Sequence, residues 1–267
     1  MRLQGKTAIV TGGARGLGRA YALRLAKLGA NVAVVDIDLG AAAAFGEQLT
    51  EASVAAEVER FGVRALSVEA DLMKRSETER VVTTVVQTLG AVDILVNNAG
   101  GGLTPVERSK ASQAPDEDIQ RMFDLNFLST LLCCQAVVPV MRKQGSGVVV
   151  NTSSVTACSV YGEGIMSLYA TAKAAVAHYT RYLAAEVGPH GVRANCISPG
   201  VVLTSRVVAT AAKRGIGTAG EAAHIPLRRL ATVEDCAGVL EFLATDLSQY
   251  VTGQVISVCG GAVLSPS

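Results

Sequence analysis

Residues 7–18 read TAIVTGGARGLG, an apolar β-branched run followed at once by a glycine-rich turn and an amphipathic segment. Such a run is typical of a buried strand. Gly12 permits a tight turn, Gly16 lets the backbone approach a pyrophosphate, and Gly18 lets the following helix pack on the strand. A purely structural glycine turn is the alternative. The position of the turn between the first strand and a helix favours a dinucleotide-binding site, because the helix amino terminus attracts phosphate.

The alternation of β-branched runs with alanine-rich segments continues along the whole chain. Nearly continuous apolar runs are typical of strands buried on both faces of a parallel sheet. We therefore predict an α/β fold with one doubly wound parallel sheet, in a single domain that spans residues 1–267. The predicted strands are 6–11, 31–36, 64–69, 92–96, 147–152, 192–197 and 254–258. The predicted helices lie near 17–28, 40–60, 75–89, 117–143, 169–187 and 232–244.

Two segments depart from this alternation. Residues 101–116 are rich in turn-forming residues, so we predict a loop. Residues 204–226 lie between a strand and the last helix, and glycines at 215, 217 and 220 prevent one long helix. Because open α/β sheets bind ligands beyond the carboxyl ends of their strands, we expect residues 204–226 to form a lid over a substrate cleft.

The composition argues against several classes of protein. The net charge is +1 without any run of like charges, so we expect neither a nucleic acid nor a membrane surface as a partner. The longest apolar stretch, Leu131–Val140, is too short to span a bilayer. The six cysteines and three histidines lack metal-ligand spacing, so we predict no metal site. Buried free cysteines and the absence of a signal peptide indicate a cytoplasmic protein.

Asp36 follows the second apolar run and indicates which dinucleotide binds. A carboxylate at this position accepts hydrogen bonds from the adenosine ribose hydroxyls and repels a 2′-phosphate, which favours NAD over NADP. Arg15 is the complication, because its guanidinium could neutralise a 2′-phosphate. We give Asp36 the greater weight and predict NAD as the cofactor.

Tyr169 and Lys173, in the sequence YATAK, are the candidate proton-transfer pair. Their i,i+4 spacing places the phenol and the ammonium on one face of a helix. A tyrosine pKa is normally about 10, too high for easy proton transfer at neutral pH. A neighbouring ammonium and the positive charge of an oxidised nicotinamide would lower the pKa of Tyr169 and make its phenolate accessible.

Two further polar residues complete the predicted catalytic set. Ser154 follows a predicted strand, where its hydroxyl can stabilise negative charge on a carbonyl oxygen. Its neighbour Ser153 is interpreted as a turn or cap residue. Asn126 is the odd polar residue of an apolar helix, and it either holds a water that relays protons to Lys173 or satisfies backbone groups. We favour the relay.

These motifs resemble those of the short-chain dehydrogenase/reductase family. The resemblance extends in order over almost the whole chain, through TGGARGLG at 11–18, NNAG at 97–100, YATAK at 169–173, PGVVLT at 199–204 and VTGQVISVCGG at 251–261. It implies a Rossmann-type domain with strand order 3-2-1-4-5-6-7 that assembles as a homotetramer. The segments from Asp36 to Asp71 and from Ser154 to Tyr169 are longer than is usual in this family.

The resemblance also implies a role for individual residues. It assigns a catalytic tetrad, in which Lys173 also binds the nicotinamide ribose. Asp71 and Leu72 would contact adenine, Asn98 the adenosine ribose region, and Val202 and Thr204 the carboxamide. The catalytic set is Asn126, Ser154, Tyr169 and Lys173. The cofactor set is Gly12, Arg15, Gly16, Leu17, Gly18, Asp36, Asp71, Leu72, Asn98, Ala99, Gly100, Tyr169, Lys173, Pro199, Val202 and Thr204.

The predicted substrate pocket is mostly apolar. Ser154, Tyr169 and Tyr161 are assigned to substrate binding, and no arginine lies between Ser154 and Tyr169 to bind an acid group. Arg206, near the lid, remains a possible partner for one. An aromatic or alicyclic secondary alcohol or ketone is therefore the preferred substrate. The predicted walls are Leu103, Val155, Val160, Tyr161, Ile165, Met166, Val201, Val207 and Val208.

Three functions are compatible with these motifs. The first is hydride transfer between NAD and a secondary alcohol or ketone. The second is an NADPH-dependent 3-oxoacyl-thioester (acyl carrier protein) reductase, which Asp36 and the lack of a basic docking patch oppose. The third is a non-enzymatic nucleotide-binding module of the same fold, which the intact tetrad opposes.

Overall fold

A computed structural model describes residues 2–160, 162–214 and 218–264. All seven runs predicted as strands form one parallel sheet, in the order β3-β2-β1-β4-β5-β6-β7. The predicted fold class and the strand order implied by the family resemblance are confirmed. The strands are β1 (Thr7–Thr11), β2 (Asn31–Asp36), β3 (Ala65–Glu69), β4 (Ile94–Asn97), β5 (Gly147–Thr152), β6 (Val192–Pro199) and β7 (Val255–Val258).

Helices cover both faces of this sheet. They are α1 (Gly16–Lys27), α2 (Val54–Glu59), α3 (Arg75–Leu89), α4 (Asp116–Phe123), α5 (Ser129–Gln144), α6 (Ser167–Val187), α7 (Ser205–Arg214), α8 (Ala219–His224) and α9 (Val233–Ala244). Helices α1, α2 and α9 pack on one face, and α3, α5 and α6 pack on the other. Successive strand residues point to opposite faces of the sheet. Val10 lies in the core under α1, α2 and α9, and Ile9 lies in the core under α3, α5 and α6. Aliphatic side chains and alanine fill both.

The topology leaves a crevice beside β1. This central strand pairs with β2 on one side and β4 on the other, so the chain reverses its direction across the sheet at this strand. Such a switch point at the carboxyl ends of the strands is where doubly wound sheets bind ligands. The glycine-rich turn after β1 and the residues after β4 and β5 therefore meet at one edge.

The helix predicted over 40–60 is wrong for most of its length. Only a 3₁₀ turn, Ala43–Phe45, and the short α2 form there. Residues 41–44 are all alanine, so a helix there would have no large apolar side chain to pack against the core. Gly46 takes a left-handed conformation with φ of 65°, which ends the helical turn. Helix α2 starts where the Ser53 hydroxyl accepts a hydrogen bond from the Ala56 amide. Residues 37–53 are consequently an irregular segment on the surface.

The helix predicted over 117–143 is present but contains an unexpected π-helical turn. Asp124–Leu128 joins α4 to α5 with this wider geometry. π-Turns are rare and occur often at functional sites, and this one contains Asn126. Helix α6 begins at Ser167, two residues before the predicted start, after Met166 in a left-handed conformation.

The two irregular segments also acquire short helices. The predicted loop 101–116 contains one 3₁₀ turn, Val106–Arg108. The predicted lid forms α7 and α8, and residues 215–217 lie outside the described residues. Thr204 begins α7 by accepting a hydrogen bond from the Val207 amide at 3.3 Å.

The continuous helical stretch Asp116–Gln144 is long and apolar enough to span a membrane by composition alone. One face of it fills the core, through residues such as Cys133, Val137 and Met141. A core helix of a soluble protein meets the same criterion.

Five of the six cysteines are buried, as predicted, but Cys158 is exposed.

Candidate active site

A cavity of about 400 Å³ opens at the carboxyl ends of the strands. The predicted site residues that line it are Gly12, Arg15, Gly16, Leu17, Asp36, Asp71, Leu72, Asn98, Ala99, Gly100, Ser154, Tyr169, Lys173, Pro199, Val202 and Thr204. Gly18 and Asn126 are buried behind the lining. Tyr161 lies outside the described residues. The topology thus brings residues from six strand ends and the lid to one place.

The glycine-rich turn has no space for side chains. Gly12 has φ of 61°, and a Cβ there would lie 2.9 Å from the Cα of Ala99. A Cβ at Gly18 would lie 1.9 Å from the carbonyl oxygen of Gly12. Gly16, with φ of 56°, supplies the first amide of α1. The spacing of the glycines in the sequence therefore has a steric cause at each of these positions.

Thr11 and Asn98 join the turn after β1 to the end of β4. The Thr11 hydroxyl accepts hydrogen bonds from the Asn98 and Ala99 amides at 3.0 and 3.1 Å. The Asn98 side chain donates to the carbonyl oxygens of Thr11 and Gly12 at 3.2 and 3.1 Å. Asn98 therefore shapes the turn itself, and its implied contact with the adenosine ribose stays a prediction. Sequence analysis missed Thr11, because a threonine ending a β-branched run carries no distinct signal.

Two carboxylates border the end of the cavity that lies beside β2 and β3. Asp36 accepts a hydrogen bond from the Ala14 amide at 3.0 Å and is only half-buried. Asp71 accepts one from the Met73 amide at 3.1 Å. The guanidinium of Arg15 lies over the ring of Phe45, with 4.7 Å between Cζ and the ring centroid. Phe45 is a neighbour for Arg15 that the sequence pattern did not indicate.

Lys173 and Tyr169 face the cavity from the first turns of α6. The Lys173 ammonium is buried, donates a hydrogen bond to the Thr152 carbonyl oxygen at 2.9 Å and lies 5.9 Å from the centroid of the Tyr169 ring. Burial lowers the pKa of Lys173 to about 8, and the nearby charge of Arg206 contributes in the same direction. The predicted pair is therefore assembled at the cavity, with a desolvated Lys173 ammonium beside a half-buried Tyr169.

The two serines after β5 have different roles. Ser153 donates a hydrogen bond to the Lys173 carbonyl oxygen at 2.7 Å, which ties α6 to the sheet. This agrees with the structural role predicted for Ser153. Ser154 is buried at the cavity wall, and its hydroxyl accepts a hydrogen bond from the Thr156 amide at 3.3 Å. The hydroxyl proton of Ser154 can be donated to a substrate oxygen in the cavity.

Asn126 is fully buried and bound to backbone. Its side-chain oxygen accepts a hydrogen bond from the Gly101 amide at 2.8 Å, and its nitrogen donates to the Met122 carbonyl oxygen at 3.0 Å. A Cβ on Gly100 would lie 2.6 Å from that oxygen and 3.3 Å from the Lys173 nitrogen, so Asn126 is close to Lys173. The observed contacts match the backbone alternative, and the water relay stays a prediction.

A buried polar chain lies beneath the Tyr169–Lys173 pair. The Asn97 amide donates to the Asn151 side-chain oxygen at 2.9 Å, and the Asn151 amide donates to the Thr180 hydroxyl at 2.9 Å. This chain links β4, β5 and α6. Because buried polar groups lose free energy when their partners are removed, it holds α6 at one register against the sheet.

The side of the cavity next to Tyr169 is mainly apolar, with one cation from α7. Five predicted walls line it: Leu103, Val155, Met166, Val201 and Val207. Three predicted walls do not line the cavity: Val160 and Val208 are exposed, and Ile165 is half-buried. The sequence of the loop before α6 and of helix α7 did not indicate which of their apolar residues face the cavity.

Arg206 enters the cavity, a position that sequence analysis left open. It lies on the first turn of α7 and lines the cavity. A Cβ on Gly101 would lie 2.7 Å from one guanidinium nitrogen, so the glycine leaves space for this side chain. Arg206 thus brings a positive charge into the cavity, and this charge acts on Lys173.

Replacing Lys173 with Met is expected to stabilise the cofactor-free protein near neutral pH. The Lys173 pKa is about 8 in the folded protein, against an ordinary lysine value of 10.5. The folded state therefore binds fewer protons than the unfolded state, and the wild type loses stability as pH falls from 10.5 to 8. The variant lacks this loss, which is on the order of 3 kcal/mol before correction for the lost hydrogen bond. Denaturant unfolding from pH 6.5 to 10 measures it.

The gain in the free energy of unfolding should shrink as pH rises from 8 towards 10.5. Lys143, an exposed lysine on α5, provides the control, because Lys143→Met should leave the pH dependence of the wild type unchanged. A gain at pH 7 that persists undiminished at pH 10 would contradict the assignment to a desolvated ammonium.

Together these features define a class of protein: a phosphate-binding turn and a phenol–ammonium pair share one cavity, as in oxidoreductases that use a nucleotide cofactor. Comparison with known proteins identifies the family. A family model described as enoyl-(acyl carrier protein) reductase matches residues 12–263. Cyclohexanol dehydrogenase of Rhodococcus sp. (strain TK6) is 43% identical over 268 residues, which cover 98% of each chain. The chain belongs to the short-chain dehydrogenase/reductase family and is an oxidoreductase.

Other relatives agree with this membership. 7alpha-hydroxysteroid dehydrogenase of Escherichia coli (strain K12) is 35% identical over 267 residues, covering 98% of this chain and 96% of the relative. The solved structure of a 7α-hydroxysteroid dehydrogenase complexed with NADH and 7-oxo glycochenodeoxycholic acid superposes with a TM-score of 0.84. It is 33% identical and covers 100% of this chain and 97% of the other.

Proposed function

We propose that the protein catalyses reversible hydride transfer between NAD and the carbinol or carbonyl carbon of an apolar alicyclic or aromatic substrate. The observation that carries this proposal is the position of the Tyr169–Lys173 pair in a cavity whose substrate side is apolar and whose other side has Asp36 and a glycine-rich turn. The similarity to cyclohexanol dehydrogenase supports the same substrate class.

The residues present fit a dinucleotide with free ribose hydroxyls. The backbone of Gly12 and Gly16 lines the cavity, where no side chain separates it from a pyrophosphate, and Gly18 lets α1 start against the turn. The Asp36 carboxylate accepts hydrogen bonds from the Ala14 amide at 3.0 Å and from the Asp38 amide at 3.4 Å, one to each oxygen, and each oxygen keeps a second lone pair for a ribose hydroxyl. Asp71 and Leu72 would flank adenine, and Lys173 would bind the nicotinamide ribose. When bound, nicotinamide accepts a hydride from the alcohol or donates one to the ketone.

The chain's own residues move the proton. In the oxidative direction the Tyr169 phenolate takes the proton of the substrate hydroxyl, and in the reductive direction the phenol returns it to the developing alkoxide. The Ser154 hydroxyl donates a hydrogen bond to the same substrate oxygen and stabilises its negative charge. When the Lys173 amine is protonated, its positive charge favours the phenolate form of Tyr169.

Substrate oxidation provides the direct test. Cyclohexanol, an aromatic secondary alcohol and a 3-hydroxyacyl thioester should each be offered with NAD and, in parallel, with NADP, and the reduction of the cofactor followed at 340 nm. We expect the first two to be turned over with a higher kcat/KM than the thioester. Preference for the thioester with NADP would favour the acyl-thioester reductase alternative, and binding of NAD without turnover would favour the non-enzymatic one.

Asp36→Asn should shift the cofactor preference towards NADP. Removing the carboxylate charge relieves repulsion of a 2′-phosphate, while the amide oxygen can still accept the Ala14 hydrogen bond. The ratio of kcat/KM for NAD to that for NADP should fall by at least about 10-fold. Asp38→Asn, at an exposed carboxylate two residues away, should leave the ratio unchanged. An unaltered ratio in Asp36→Asn would remove the basis for the NAD assignment.

Assembly and location follow the family. We propose a homotetramer in the cytoplasm that acts on a small molecule and binds neither nucleic acid nor membrane. The small net charge supports the proposal that neither nucleic acid nor membrane is a partner. Sedimentation measurements on the purified protein test the tetramer.

A further inference from the structure

The irregular segment 37–53 contacts the cofactor turn through Glu47. The Glu47 carboxylate accepts hydrogen bonds from the Gly16 amide at 3.1 and 3.0 Å, one to each oxygen. It also accepts one from Arg19 at 3.1 Å and one from the Ser205 hydroxyl at 2.6 Å. Its side chain is only 13% exposed. A carboxylate from segment 37–53 is therefore bound at the start of α1.

This carboxylate and a pyrophosphate need the same groups. The Gly16 amide is the first of α1, where the unpaired N–H groups and the helix dipole favour an anion. Gly16 also lines the cavity. A second anion brought close to Glu47 would be repelled, and the Gly16 N–H cannot serve both in full. One anion must therefore leave the turn for the other to bind.

We propose that Glu47 is an internal gate for the cofactor, a built-in anion that holds the phosphate-binding turn when it is empty and leaves when a pyrophosphate binds. This inference rests on the proposed function, because it requires that a dinucleotide occupies the turn. It assigns to residues 37–53 a role in cofactor binding and release, separate from the proton transfer at Tyr169.

The contacts around Glu47 allow it to leave without unfolding the turn. Arg19 keeps a bidentate ion pair with Glu57, with both N–O distances at 2.7 Å. Thr50 is anchored to Glu57 through its amide and hydroxyl, at 2.6 and 2.8 Å. On the other side, the Glu47 amide donates a hydrogen bond to the Ala42 carbonyl oxygen at 3.1 Å, which holds the backbone in place. The Glu47 side chain can therefore leave Gly16 by rotation about its own bonds, without movement of the backbone.

The gate is also coupled to the lid. Ser205 is the first residue of α7, and its short hydrogen bond to Glu47 joins the cofactor turn to the helix that carries Arg206 into the cavity. When Glu47 leaves, the Ser205 hydroxyl loses this partner. Binding of a pyrophosphate thus changes the contacts at the base of the lid helix, at a distance from the substrate.

Glu47→Gln tests the gate by calorimetric titration with ADP-ribose, which contains the pyrophosphate, and with adenosine, which does not. Glutamine has almost the same shape but no charge, so it holds the turn less tightly. We expect ADP-ribose to bind about 10-fold more tightly than to the wild type, with adenosine affinity unchanged. Glu51→Gln is the matched control, because Glu51 lies in the same segment but pairs with exposed Arg60. It should alter neither affinity.

The outcomes separate the gate from other roles. ADP-ribose affinity that is unchanged or weakened in Glu47→Gln makes Glu47 a structural residue and overturns the gate alone. Failure of wild-type protein to bind ADP-ribose overturns the proposed function as well. Ser205→Ala covers the case of a misfolded Glu47→Gln: it removes one hydrogen bond from Glu47 and should tighten ADP-ribose binding by roughly 2-fold to 5-fold. No tightening in Ser205→Ala also contradicts the gate.

Discussion

Tyr169→Phe is expected to lower kcat for alcohol oxidation by at least about 1000-fold, which corresponds to about 4 kcal/mol of transition-state stabilisation. The phenylalanine keeps the ring and loses only the hydroxyl that exchanges the proton. The Lys173 ammonium keeps its hydrogen bond to the Thr152 carbonyl oxygen, so the site should remain folded. NADH affinity, measured by fluorescence titration, should stay within about 2-fold of the wild-type value because the pyrophosphate and adenosine contacts are untouched.

Tyr182→Phe is the matched control for this substitution. Tyr182 is on the same helix, but its side chain is 70% exposed and distant from the cavity lining. Its hydroxyl should have no effect on kcat. If Tyr169→Phe kept more than a tenth of the wild-type kcat, another group would have to be the proton donor, and the proposed mechanism would be wrong.

Gly18→Ala is expected to cost at least about 3 kcal/mol of unfolding free energy and to abolish cofactor binding. The new Cβ would lie 1.9 Å from the carbonyl oxygen of Gly12 and 2.7 Å from its carbon. These are backbone atoms, so the turn and the start of α1 must separate. Denaturant unfolding and NADH titration measure the two effects.

Gly238→Ala provides the comparison. Gly238 is an exposed residue inside α9, and a Cβ there would have no neighbour within 4 Å. Alanine has the higher helix propensity, so this variant should gain up to about 1 kcal/mol. The two glycine-to-alanine substitutions, both in helices, should therefore change the free energy of unfolding in opposite directions. A small loss at Gly18 would mean that the turn can relax, and that its tight packing is not required.

The strands were predictable because burial on both faces leaves a strong pattern. Apolar runs such as residues 31–36 have few alternatives in a chain of this composition. The helix predicted over 40–60 failed for the converse reason. Alanine has a high helix propensity, but a row of alanines gives a helix nothing to bury, and Gly46 ends the 3₁₀ turn that does form.

The positions of the site residues were predictable to the extent that topology decides them. Residues that end parallel strands meet at one edge of the sheet, which is why Asp36 and Ser154 border the same cavity as the YATAK segment. Side-chain partners were not predictable. The Asn98 side chain binds the glycine-rich turn, and the Arg15 side chain packs on Phe45. Neither contact could be predicted, because the partners are distant in sequence and meet only through the conformation of the loops.

The buried polar chain from Asn97 through Asn151 to Thr180 has an evolutionary consequence. An apolar contact between a helix and a sheet tolerates small sliding, whereas paired amides accept only discrete alignments, each separated by lost hydrogen bonds. The position of Tyr169 and Lys173 on α6 relative to the sheet is thereby protected from mutations elsewhere in the core. Val201, Arg206 and Val207 line the cavity without taking part in this chain, so substitutions there can change the cavity while the alignment of α6 is kept.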